Sequence, residues 1–326
     1  MNTLNISQLK NKAGLSLAAC PTDPRRLTLL HVGITAAAAL LMTLLQLLTT
    51  ALMADAGGLD GLGKRAFLST VSTFFSFAVT VSLPFWNNGY IYATLGLSRQ
   101  EPVSANSLLR GFRRIGATLG GMVLQSLLFT SVLMLCLNIA STAWMITPGG
   151  QAILENAENI LSATDPEQMQ QYLHLMIPVY ILTGIIAIVP CLFLFYRLRL
   201  LNYGIMDGKG GFRSLLDSFR LMKGRVLFFV KLDLHFWWYY LLQALCAGLA
   251  WLDVGMSALG LPLPGDSQLW ALVSYSAYCA GQLLLAWFFQ TEVAVTYAAA
   301  YDEILSTGPA QPKPKKEPKN LPWNYE

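Results

Sequence analysis

The amino-acid sequence predicts an all-α, polytopic membrane protein, and three observations carry that prediction. Of 326 residues, 54% are hydrophobic and only 12% charged, against roughly 25% charged in soluble domains, and the mean hydropathy is +0.48. The apolar residues fall in six long blocks, each near or above the ~20 residues a helix needs to span a bilayer. The segments between the blocks alternate in charge. Segments 1–26, 98–114 and 197–225 are basic, whereas 55–65 is neutral and 140–172 and 253–268 are acidic. By the positive-inside rule this pattern places the basic segments and both termini in the cytoplasm.

Taken in order, residues 1–26 read as a short amphipathic helix. Leu4, Ile6, Leu9, Ala13 and Leu15 lie on its apolar side, Lys10 and Lys12 are polar, and Pro21 and Pro24 break it. A cleavable signal would carry a shorter apolar core nearer the start. The first span lies within 27–54. The second, within 66–97, contains Pro84 followed by Asn87, Asn88 and Tyr90. Proline removes a backbone donor and kinks a helix. The third span, 115–139, opens with Gly116-x-x-x-Gly120, a close-packing pattern that is common by chance in apolar sequence.

The acidic 140–172 segment ends in Asp165-Pro166-Glu167, a helix-start signature. It leads to the fourth span, 173–196, with Pro178 and Pro190. Gly208, Gly210 and Gly211 then read as a turn. After it, Phe212, Leu215, Leu216, Phe219 and Leu221-Met222 read as the apolar side of a basic amphipathic helix. The fifth span is 226–252 and the sixth 269–301. Residues 1–305 form a single transmembrane domain, and 306–326, rich in Pro and Lys, read as a disordered cytoplasmic tail.

The most informative stretch runs from Arg213 to Tyr240, where a basic segment turns into a span. Its start, Ser214-Leu215-Leu216-x-x-Phe219-Arg220, repeats Ser107-Leu108-Leu109-x-x-Phe112-Arg113. Pro84 and Pro190 stand at nearly equal distances upstream. Ile6 to Lys12 is a degenerate further copy. The unit is an amphipathic helix followed by a two-span hairpin, present three times and parallel, since each copy begins in the cytoplasm.

Two polar groupings invite a functional expectation. Lys231, Asp233, His235 and Glu292 fall inside apolar runs, where ionisable residues are costly and often functional. A Lys231–Glu292 pair or an Asp233-centred site is the sharper expectation. Snorkelling of Lys231 with one structural ion pair is the plainer one. Arg110, Arg113, Arg114, Arg213, Arg220, Lys223 and Arg225 form a cytoplasmic collar suited to anionic lipid headgroups, or act only as topogenic charge.

Asn87, Asn88 and Tyr90, together with Tyr196 and Arg197, either line a cavity or bond between helices. The aromatic run from Phe236 to Tyr240 reads as packing. Cys20, Cys136, Cys191, Cys246 and Cys279 show no CxxC spacing, which argues against a disulfide framework or a zinc site. His31 and His174 lie on separate spans. No nucleotide loop, metalloprotease helix or nucleophile elbow is present. No cofactor and no nucleic-acid partner are expected. The expected partners are membrane lipids, with a membrane protein as a further one.

Residues Tyr203 to Asp253 resemble a family of bacterial multi-pass membrane proteins known only as domain of unknown function 975. The carrying residues are Ser214, Ser218, Leu221-Met222-Lys223-Gly224, Phe228, Leu232-Asp233-Leu234, Phe236 and Trp238, with Tyr301-Asp302-Glu303 similar to the family's closing segment. His235 replaces the family's usual serine. The resemblance implies an integral protein of the bacterial plasma membrane and directs attention to Asp233. It implies no activity. A non-enzymatic scaffold or accessory protein is therefore the first expectation, and a small-solute or lipid transporter with a path between the repeats the second.

Overall fold

The computed structural model describes residues 5–20, 23–55, 59–155, 166–252, 256 and 267–308, and these are mostly helical, with no strand among them. The 306–326 tail beyond Gly308, residues 156–165 of the acidic segment and most of the 253–268 loop lie outside the described residues.

Helix α1 (Ile6–Ala18) starts where Asn5 Oδ1 accepts from the Ser7 N–H at 3.1 Å, satisfying one of the donors every helix start leaves orphaned. It buries Leu9, Ala13 and Ser16, while Leu15, expected on the apolar side, is exposed. Helix α2 (Pro24–Asp55) has proline at its first position, a place where no N–H is missed. The Asp23 carboxylate accepts from the Arg25 N–H at 3.0 Å.

Helix α3 (Leu59–Ser98) runs through Pro84. A 3₁₀ helix (Ala105–Arg114) returns across it and leads into α4 (Ile115–Met145). Then come α5 (Pro148–Glu155), α6 (Pro166–Leu198), which opens at the expected proline, α7 (Leu201–Met206) and α8 (Gly211–Leu221). Helices α9 (Val226–His235) and α10 (Trp237–Leu249) follow. The last run holds α11 (Ser267–Leu285), one π turn (Ala286–Gln290) and α12 (Thr291–Thr307).

Five helical stretches among the described residues are long and apolar enough to cross a membrane: Pro24–Thr50, Ala66–Ser98, Ala105–Met145, Met176–Met206 and Trp270–Thr307. This is the pattern of a multi-pass membrane protein. The stretch expected as the fifth of six spans, 226–252, is instead two helices broken at Phe236. Phe236 leaves helical geometry at φ −102° and ψ 21°, and its buried ring anchors the break. Neither half is long enough to span alone.

Large apolar side chains such as Phe74, Phe77, Leu127, Ile185 and Val189 are exposed along the spans. In water that much exposed apolar surface would mark an interaction face, whereas lipid tails are as apolar as leucine and exert no pressure to bury it. Hydroxyls within the spans bond back to their own helix, as Thr43 to the Ala39 carbonyl at 3.1 Å and Thr183 to that of Val179 at 2.7 Å.

The buried core lies toward one end of the helices. It gathers Leu201, Ile205, Met222, Phe229, Leu232, Phe236, Tyr301 and Ile304 around α7, α9 and α12. The backbones approach most closely at that end. A Cβ on Gly89 would lie 1.8 Å from the Leu108 carbonyl oxygen, and one on Gly111 1.9 Å from that of Phe85. The 3₁₀ helix therefore lies directly on the α3 backbone, as only glycine permits.

Gly211 meets α4 in the same way, with the Ala117 carbonyl 2.5 Å from its would-be Cβ. Gly116 and Gly120, the expected close-packing pair, face open space, and Gly121 makes the contact instead, against Ile205. Of the glycines read as a turn after α7, Gly208 supplies the positive φ, +105°.

The 197–225 segment keeps Leu215, Leu221 and Met222 of the expected helix face inward and corrects the rest. Helix α8 buries Gly211, Ser214, Leu215, Ser218 and Leu221, and exposes Phe212 and Leu216. Small residues turn inward because the neighbouring backbone is close: Ser218 Oγ donates to the Arg197 carbonyl at 2.7 Å, and Gly204 packs against Ser214. The 3₁₀ helix likewise buries Ser107, Leu108 and Gly111 and exposes Leu109.

Candidate functional site: two ion clusters and an arginine cavity

Asp233 sits one turn before the Phe236 break, at the centre of a polar cluster. The Arg199 guanidinium grips its carboxylate with both terminal nitrogens, at 2.5 and 2.7 Å. Tyr196 donates at 2.8 Å and Tyr240 at 3.3 Å, and the Tyr297 hydroxyl donates as well. The Tyr240 and Tyr297 hydroxyls are 2.8 Å apart. The Arg199 guanidinium lies 4.4 Å from the Tyr297 ring centroid, with the rings of Phe195, Tyr196 and Phe229 beyond 5 Å.

Planar guanidinium suits both the carboxylate fork and the aromatic faces. The break at Phe236 turns α10 so that Tyr240 reaches back to Asp233. Five partner bonds leave the carboxylate saturated.

A second cluster ties together the ends of three spans. Arg99, just past α3, donates to Asp302 of α12 through Nε at 3.0 Å and a terminal nitrogen at 2.7 Å, and to Asp207, just past α7, at 2.9 Å. Ser98 Oγ donates to Asp302 at 3.1 Å, Tyr301 to Asp207 at 3.4 Å, and Tyr203 stacks on Tyr301. The hydrogen bonds to Asp302 first, and to Asp207 after it, raise the Arg99 pKa above its already high ordinary value. At the same end Lys10 pairs with Glu292 at 3.3 Å and Lys12 with Glu303 at 3.9 Å. Residues from all three basic segments thus meet at one end of the bundle.

The sequence-predicted polar set is dispersed. Asp233 pairs with Arg199 and Glu292 with Lys10, so no Lys231–Glu292 pair forms. Lys231 and His235 are exposed, and His235 meets only the edge of the Phe236 ring among the described aromatic contacts. Asn88 and Tyr90 bond between helices, to Thr118 at 3.0 Å and Thr28 at 3.0 Å, and Thr28 also accepts from Thr291. His31 stacks on Tyr90, with ring centroids 4.4 Å apart. Arg197 donates to the Phe219 carbonyl at 2.9 Å. Of the aromatic run, Phe236 and Tyr239 are buried, Trp238 meets Phe289 edge-on at 4.6 Å, and Trp237 is exposed.

The basic collar residues divide in three. Arg225 caps the end of α12, donating to the Ile304 carbonyl at 3.3 Å, Thr307 at 3.0 Å and the Gly308 carbonyl at 2.5 Å. Arg213, Arg220 and Lys223 are exposed. Arg110, Arg113 and Arg114, with Tyr92 and Met206, line a cavity of about 410 Å³. Arg110 donates to the Tyr92 hydroxyl, and Arg114 to the Ile205 carbonyl at 3.2 Å.

Sequence reasoning missed Arg199, Arg99, Asp207 and Tyr297. In the sequence the two arginines are only part of the basic segments 98–114 and 197–225. The available signal was the recurrence of a tyrosine and a charged residue together at span ends, as in Tyr196–Arg199, Tyr203–Asp207 and Tyr301–Asp302. Among the described residues no three His, Cys, Asp or Glu side chains come together to hold a metal. The chain matches no family model, no curated protein and no solved structure.

Proposed function

We propose that the chain is a non-enzymatic scaffold or accessory protein of the bacterial plasma membrane, acting through lipid or partner-protein contacts at its cytoplasmic face. It crosses the membrane six times, as three parallel hairpin units with both termini inside. The broken 226–252 segment supplies the fifth crossing. The bacterial setting comes from the resemblance to the uncharacterised family, and the orientation from the positive-inside rule. Gly111 and Ser218, 107 residues apart, support the repeat, since each lies against the backbone of the preceding span, at Phe85 and at the Arg197 carbonyl.

One observation carries the functional reading. The ionisable groups at the core are spent on each other, whereas a cluster of arginines is left open to the surroundings. Asp233 is saturated by Arg199 and three tyrosines, and Arg99 is spent on Asp207 and Asp302. Purification from native membranes with identification of retained lipids and proteins tests it. Enrichment of anionic phospholipid over its bulk proportion, or a stoichiometric membrane partner, is expected. Lipid in bulk proportion with no partner contradicts it.

The break at Phe236 favours transport as the second reading, because discontinuous helices commonly hold transported ions or solutes. Under it, reconstituted protein dissipates an imposed proton or sodium gradient and an Asp233→Asn variant does not. Equal leakage from both, at the level of empty vesicles, excludes it.

A further inference from the structure

We propose that the cavity lined by Arg110, Arg113 and Arg114 binds the phosphate headgroup of an anionic phospholipid. The inference rests on the lipid-contact reading above and assigns it a specific site.

Three guanidinium groups meet at one cavity because of the local helix type. In a 3₁₀ helix residues i and i+3 eclipse, so Arg110 and Arg113 project from one side of Ala105–Arg114. Arg114 closes the same wall where α4 begins. Like charges lining one cavity repel unless an anion sits among them, and among the described residues no carboxylate pairs with them. The described carboxylates that form ion pairs do so with Lys10, Lys12, Arg99, Arg199 and Lys209. None pairs with these three arginines.

The site is also held in place. The Arg110 guanidinium lies 4.6 Å from the Tyr92 ring centroid and bonds its hydroxyl. Arg114 is fixed by the Ile205 carbonyl. Arg113 is exposed, with no ion-pair partner among the described residues. Two fixed forks and one adaptable one suit the oxygens of a phosphate, which arginine binds with paired hydrogen bonds. A volume of about 410 Å³ is of the size of small-ligand pockets and leaves room for a headgroup beyond the phosphate itself.

A lipid is the source the surroundings favour. Leu109 and Ile115, which flank the three arginines in sequence, are both exposed, as is Leu119 one turn further into α4. The cavity therefore opens beside apolar surface at the end of a membrane span, where acyl chains would lie against helix and the headgroup against guanidinium.

The test uses the full chain in detergent by native mass spectrometry, titrated with phosphatidylglycerol, with phosphatidylcholine and with glycerol phosphate. Wild type is expected to retain phosphatidylglycerol over phosphatidylcholine, and Arg113→Gln to bind it about tenfold more weakly, the loss of one charge-assisted contact. Arg113→Lys, which keeps the charge but not the fork, is expected to fall between them. Arg26→Gln, an exposed arginine elsewhere, controls for net charge and is expected to bind as wild type does. Phosphatidylglycerol preference that survives in Arg110→Gln/Arg113→Gln overturns the cavity while leaving lipid contact standing. No preference in wild type overturns both. Glycerol phosphate competing as well as the lipid overturns the lipid as occupant.

Discussion

Replacing Asp233 with asparagine removes one charge while keeping the shape, and the surroundings set the cost. The Arg199 and Asp233 side chains are 15% and 18% exposed, so the guanidinium would keep its charge in a largely dry, aromatic pocket. Asparagine can accept from only one of the two guanidinium nitrogens, and its amide group presents donors to the other nitrogen and to the tyrosines. Removing one member of a buried pair costs about 3–5 kcal/mol. The residual exposure argues for the lower end, about 3 kcal/mol.

Arg199→Met is expected to cost a similar amount, since it strands the carboxylate. The double variant strands neither, so the two losses should not add. A coupling of about 2 kcal/mol is expected. The assay is a double-mutant cycle of thermal or denaturant unfolding in detergent, followed by tryptophan fluorescence. For a chain of this size the single variants should melt on the order of 5 °C lower or more. Single losses within about 0.5 kcal/mol, the range of ordinary surface substitutions, or strict additivity, would refute the mutual saturation of Asp233 and Arg199.

Other perturbations separate strong contacts from weak ones. Arg99→Gln, at a more solvated junction, should cost about 1–2 kcal/mol, and should speed amide hydrogen exchange in 297–307 more than in α4. Equal protection there would mean that Arg99 does not hold the end of α12. Gly111→Ala should prevent stable folding or cost at least about 3 kcal/mol, because the obstacle is the Phe85 backbone and no rotamer relieves it. Gly116→Ala, with nothing within 4 Å, should be neutral, and similar behaviour of the two variants would contradict the packing. Lys10→Ala removes a pair that is a third exposed on one side and half exposed on the other, and should cost less than about 1 kcal/mol.

The helical class and most of the spans were legible because length and hydropathy decide them. Lipid demands an unbroken helix of about 20 residues, and five stretches met that demand close to where they were expected. The break at Phe236 was not legible. No proline or glycine marks it, and it follows from tertiary burial of that ring and from Tyr240 turning toward Asp233. The inward face of α8 was legible in part. Leu215, Leu221 and Met222 are buried as the periodicity expects, whereas Ser214 and Ser218 also turn inward to a neighbouring backbone, and Phe212 and Leu216 face outward. Asp233 was singled out from the sequence, but its partner was not, because Arg199 stands 34 positions earlier and only the fold brings the two together. The Arg110–Arg113–Arg114 group was legible as basic charge. Its cavity was not, since Tyr92 and Met206 come from other elements.

The proposed topology puts all three basic segments on one face of the membrane, the cytoplasmic one. Single cysteines at Ser104, Arg213 and Gln151, placed in a background lacking the five native cysteines, test this in cells treated with a membrane-impermeant maleimide. Positions 104 and 213 should label only after the membrane is opened, and 151 should label in intact cells. Labelling of 104 and 213 from opposite sides, or of both from outside, would contradict it.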